Sequence, residues 1–152
     1  GAAGGDASAA AAARADVPAN ALEGSPESRF AAAMQLLQAG NLAAAEVAFA
    51  RFERDFPDAP QAPTAAYWVG ETFYTRGQYA DAAATFARNY RQYGAEAERA
   101  PENLLKLGMS LAALGDAEKA CASYDELERR FPDAGTAVRQ TLERERRSAG
   151  CG

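Results

Sequence analysis

The sequence predicts an all-α protein, a right-handed superhelix of three helix-turn-helix repeats closed by a C-terminal capping helix. Three observations predict it. A ten-residue phrase recurs as "GNLAAAEVAF" (40–49), "GQYADAAATF" (77–86) and "GDAEKACASY" (115–124). With Gly40, Gly77 and Gly115 aligned, 37 and 38 residues apart, the surrounding positions fall into register. Pro26, Pro63 and Pro101 precede the glycines. Ala45 and Phe49, Ala82 and Phe86, and Ala120 and Tyr124 follow them, and Pro57, Gly94 and Pro132 come after those, each behind an aromatic residue. Last, "TAVRQTLERERRS" (136–148) carries Val138 and Leu142 on one stripe and charges elsewhere.

Each element has a mechanical reading. Proline suits the first turn of a helix, where its missing N–H would be unpaired anyway, so Pro26, Pro63 and Pro101 open the first helix of each repeat. The aligned glycine ends that helix, because it takes positive φ without steric cost. In the second helix the alanine and the aromatic lie one turn apart on one face, so that a neighbouring helix approaches the small residue and the ring fills the space beside it. The "FP" or "YG" pair stops the chain. The repeats then run over about 26–62, 63–100 and 101–135, with a capping helix over about 136–148 that shields the last apolar face. Residues 1–24 are Ala- and Gly-rich, with no large apolar side chain before Val17, and read as a flexible linker to a domain over 25–152.

Composition narrows the function classes. The formal net charge is −5, and basic residues are scattered among acidic ones, which disfavours nucleic acid as a partner. No segment is apolar enough for membrane insertion, and no secretory leader stands at the start, so any targeting signal is expected to have been removed or never included. Histidine is absent, and no nucleophile elbow, phosphate loop or calcium-loop spacing occurs, so the expectation is a non-enzyme without metal or cofactor. Stacked helix pairs build a concave binding surface instead. Counting from each opening proline, that surface takes Phe30, Met34 and Leu37 from the first repeat, Tyr67, Glu71 and Tyr74 from the second, and Leu105, Met109 and Ala112 from the third. A mostly apolar and aromatic set of this kind suits an extended or helical peptide. Phe30, Leu37 and Leu105 can equally pack between helices, whereas the polar tips of Tyr67, Glu71 and Tyr74 suit a wet surface. Trp68, beside these positions, reads as core.

The two cysteines form a second candidate feature. The capping helix should run back antiparallel to the second helix of the third repeat, and Gly150 lets the chain turn, so Cys151 reaches Cys121. A disulfide there closes a loop of about 30 residues and is worth about 3 to 4 kcal/mol in the chain-entropy model. It implies an oxidising compartment, while two free thiols would be expected of a cytoplasmic adaptor.

The repeats fit the pattern W-x2-L-G-x2-Y, then A-x3-F, then P of the tetratricopeptide (TPR) class. The third carries it as Leu104, Leu107, Gly108, Leu111, Ala120, Tyr124 and Pro132, and the second as Ala66, Val69, Gly70, Phe73, Ala82 and Phe86. The first has Ala33 where the others have glycine. The carboxylate clamp of some chaperone-binding members needs Lys and Asn where this chain has Phe30 and Met34, which argues against that subfamily. The segments "YWVGETFY" and "KLGMSLAALG" and the terminal "GCG" resemble alphaproteobacterial versions of the Tol-Pal YbgF/CpoB family, over about 25–152. The resemblance implies a periplasmic, non-enzymatic adaptor that binds TolA and a bifunctional peptidoglycan synthase and couples outer-membrane constriction to septal wall synthesis. It also implies a full-length trimer, assembled through an N-terminal coiled coil, and a monomer for the present residues. The alternative is a structural assembly factor of the cell envelope, serving outer-membrane or pilus assembly.

Overall fold

A computed structural model of the chain describes residues 16–152. Among them lie seven α-helices and no strand: α1 (Pro26–Gln38), α2 (Leu42–Asp55), α3 (Ala62–Thr75), α4 (Tyr79–Tyr93), α5 (Ala100–Ala113), α6 (Ala117–Arg130) and α7 (Thr136–Ala149). A short 3-10 turn, Ala19–Ala21, precedes them. The fold is an all-α helical repeat, as the recurring phrase requires. The chain divides into two compact halves inside α3, the first ending at Thr72 and the second beginning at Phe73.

The local chemistry repeats along with the helices. Ser25 caps α1 by accepting a hydrogen bond from the Ser28 N–H at 3.1 Å, and Pro26 follows in the first turn. Asp116 caps α6 in the same way through the Lys119 N–H. The three turns close alike. Gly40, Gly77 and Gly115 have φ of +79°, +77° and +85°, and the residue after each donates back to the carbonyl of Leu36, Phe73 or Leu111 at 2.9 to 3.0 Å. Only a residue free of a Cβ takes that conformation cheaply, which is why the phrase always begins with glycine.

In the first half α1 packs on α2 and on the 3-10 turn. Ala45 and Phe49 are fully buried, together with Ala33, Ala44 and Phe52. Val17 and Ala21 are buried too, so the packed domain starts ahead of Ser25 and the expected linker over 1–24 is too long. The burial of Val17 and Ala21 is the apolar contribution that docks this stretch. The rest of the expected linker, residues 1–15, lies outside the described residues.

In the second half α4 packs on α5, α5 on α6, and α7 on both α5 and α6. Ala82, Phe86, Ala120 and Tyr124 have no exposed surface. The terminal core joins Leu104, Leu105, Ala120, Tyr124, Leu127 and Leu142, with Tyr90, Met109, Phe131 and Val138 packed around it. Asn89 of α4 and Asn103 of α5, both buried, pair at 3.1 Å, and the Asn103 amide also donates to the Arg99 carbonyl at 2.9 Å. A buried amide pair of this kind fixes helix register, because a slip would strand the Asn89 amide N–H and the Asn103 side-chain oxygen.

Candidate peptide-binding surface

The first helix of each repeat supplies the candidate surface, and the structure sorts its residues by exposure. In the first half Phe30 sets its ring edge-on to Phe49 at 5.6 Å and to Phe52 at 5.7 Å. It is half-buried filling of the α1–α2 pair. Met34, Leu37 and Glu71 are also half-buried. Tyr67 is only 6% exposed, with the ring of Trp68 edge-on at 5.2 Å and half-buried. The expected roles of this pair are therefore corrected: Tyr67 belongs to the core and Trp68 reaches the surface.

In the second half Leu105 is 5% exposed and belongs to the terminal core, a second correction. Both errors have one cause. Leu105 and Tyr67 each stand fifth from their opening proline, and Phe30 at the equivalent place also turns its ring inward. The fifth position thus turns into the core, and the solvent-facing stripe begins one residue on, about 100° around the helix. That shift brings Lys106 to the surface in place of Leu105. Its Nζ stands 4.7 Å from the centroid of the Tyr74 ring, and Tyr74 meets Tyr79 edge-on at 5.3 Å. Tyr74, Tyr79, Lys106, Met109 and Ala112 are all half-buried.

Tyr74, Tyr79 and Lys106 form the best-defined candidate patch. Two phenol rings and an ammonium group held over one of them present flat apolar area beside polar tips. That combination recognises peptide side chains at low entropic cost. Tyr79 and Lys106 were not among the expected site residues. Tyr79 opens the second helix of its repeat, and Lys106 lay one place outside the counted stripe. A count that treated the fifth position as core would have found Lys106.

One ion pair ties α1 to α2. Arg29, 4% exposed, binds Asp55 at 2.9 Å, and its guanidinium lies 4.9 Å from the Phe56 ring centroid. The hydrogen bond from Arg29 holds the Asp55 carboxyl below its ordinary range, against the opposing effect of burial. Burial raises Glu102, partly offset by Arg99. Among the described residues, no group of His, Cys, Asp and Glu side chains is placed to hold a metal ion, and no helix is long and apolar enough to cross a membrane.

The third helix pair has a counterpart among known proteins. A tetratricopeptide-repeat family model matches residues 102–134. This supports a TPR-type domain, and the matched stretch takes in most of α5, all of α6 and the turn toward α7. No curated protein matches the chain. The TPR pattern explains why Gly108, Ala120 and Tyr124 sit together: glycine and alanine let paired helices approach, and the ring occupies the contact. Helical repeats of this type are typically scaffolds that bind other proteins without catalysis.

The cysteines complete the described features. Cys121 of α6 and Cys151 form a disulfide, with their Cα atoms 5.6 Å apart. Gly150, at φ +74°, turns the chain out of α7, and the Cys151 N–H donates to the Arg146 carbonyl at 2.9 Å. Arg146 in turn bonds Asp125 of α6 at 2.6 Å and the Gly152 carbonyl at 3.1 Å.

Proposed function

We propose that this domain is a non-catalytic, periplasmic protein-interaction module of the Tol-Pal system. In this reading it binds TolA and a bifunctional peptidoglycan synthase, and so coordinates outer-membrane constriction with septal wall synthesis. The observation that carries the binding role is the half-exposed patch in which Lys106, on the stretch that the TPR model matches, stands over Tyr74 beside Tyr79. The Cys121–Cys151 bridge supports an oxidising compartment. The Tol-Pal assignment rests on the resemblance of "YWVGETFY", "KLGMSLAALG" and "GCG" to that family.

Calorimetric titration of the purified chain with the periplasmic part of TolA tests the proposal. Saturable binding that weakens at least tenfold in Tyr74→Ala and in Lys106→Ala, with helical content unchanged, is the expected result. Absence of binding to both TolA and the synthase overturns the Tol-Pal assignment. Binding unaffected by either substitution moves the contact surface elsewhere.

A further inference from the structure

We propose that the Cys121–Cys151 disulfide is a redox latch on the terminal helix: oxidised, it holds α7 against α5 and α6, and reduced, it lets α7 come away while the helix pairs stay folded. The case starts from how little else holds α7. Of its 14 residues only Leu142 is buried, with Val138 and Ala149 partly packed against the terminal core. A helix of this length is marginal in water unless packing sustains it. At its N-terminal end a cleft of about 340 Å³ lies between α6 and α7, lined by Leu127, Phe131, Val138 and Leu142 among others, so the packing there is incomplete. Arg146 adds a polar hold, bonded to Asp125 and 3.7 Å from Glu128. Both acids are more than half exposed, where an ion pair contributes little.

The bridge changes this balance through its position. α7 is tethered at its start by the turn after α6 and at its end by Cys151, so while the disulfide is intact it cannot swing away from either end. Cutting the S–S bond leaves one tether. Opening has a compensation as well. The Tyr124 hydroxyl is buried without a hydrogen-bond partner, close enough to Glu145 of α7 for that carboxylate to act on it. Lifting α7 would admit water to that region.

The chemistry balances with a dithiol reductant. One of its thiolates attacks a sulfur of the bridge, forming a mixed disulfide and releasing the other cysteine as a thiolate. The second thiol of the reductant then resolves the mixed disulfide. Two electrons pass to Cys121 and Cys151, which end as thiols, and the reductant leaves as its own disulfide. Both cysteines are half-buried rather than sealed in the core, and so within reach of attack.

Amide hydrogen exchange of the intact chain, read by mass spectrometry with and without dithiothreitol, tests the latch. The expected result is a rise of roughly a hundredfold or more in exchange over 136–149 on reduction, with α5 and the core of α6 still protected. The doubly substituted Cys121→Ser, Cys151→Ser protein should exchange like the reduced form and ignore the reductant. Unchanged protection of α7 on reduction overturns the proposal. So does loss of protection throughout the second half, which would make the bridge a staple of the whole fold.

Discussion

Gly108 of α5 faces the ring of Tyr124 of α6 so closely that a Cβ at position 108 would lie 2.3 Å from Cε1 and 2.7 Å from Cδ1. The ring cannot retreat, because Tyr124 is fully buried. In a free helix Gly→Ala is stabilising by roughly 1 kcal/mol. Here overpacking outweighs propensity, and Gly108→Ala should destabilise the protein by about 1 to 3 kcal/mol in urea unfolding. The same substitution in a Tyr124→Leu background should cost much less. Equal cost in both backgrounds would show that the close approach is not the cause.

The Tyr124 hydroxyl is a cost that the fold carries. It is buried with no partner, and burial, then the negative charge of Glu145, then Tyr74, push its ionisation far above the ordinary tyrosine value. Tyr124→Phe removes the group without opening a cavity, so stability should hold or rise by about 1 kcal/mol. In an alkaline absorbance titration Tyr124 should ionise only as the protein unfolds. That late step should vanish in the Phe variant. A Phe variant destabilised by more than about 1 kcal/mol would reveal a partner for the hydroxyl.

The helix pairs were legible because they repeat. Glycine at three turns, and alanine with an aromatic one turn on, are backbone and packing requirements that recur, and each recurrence checks the others. Val17 and Ala21 were missed because a docked segment that occurs once has no register to betray it. The errors at Tyr67 and Leu105 are rotational: a helix face read one residue out is displaced by about 100°, enough to exchange core for surface. Lys106 was hidden by that same error. The Arg29–Asp55 pair and the Asn89–Asn103 pair join residues on different helices, so their partners become visible only once the helices are docked.

Asn89 and Asn103 give a direct test of register control. Asn103→Ala leaves the fully buried Asn89 amide without its acceptor, at a cost of about 1 to 3 kcal/mol. Asn89→Ala leaves Asn103 its bond to the Arg99 carbonyl, so it should cost less. In a double-mutant cycle by urea unfolding the pair should show a coupling of at least about 0.5 kcal/mol. Additive effects would mean that each asparagine acts through other contacts.

The pairing of Arg29 with Asp55 should make stability depend on pH in a direction the structure fixes. Arg29 is buried and Asp55 is 30% exposed at its side chain, so the arginine is the partner that suffers when the pair is broken. Asp55→Asn should therefore destabilise the protein at pH 7 by about 3 kcal/mol, more than Arg29→Met, which leaves behind a carboxylate that water can reach. The Arg29 hydrogen bond lowers the Asp55 carboxyl below its ordinary value of 3.8 in the folded state. The contribution is thus fully present above that value and is lost as pH falls through the lower, folded one. Urea unfolding at pH 7 and near pH 2 should show the gap between the original chain and Asp55→Asn narrowing at acid pH. A gap that stays constant across that range would mean that the carboxylate charge is not what stabilises the α1–α2 pair.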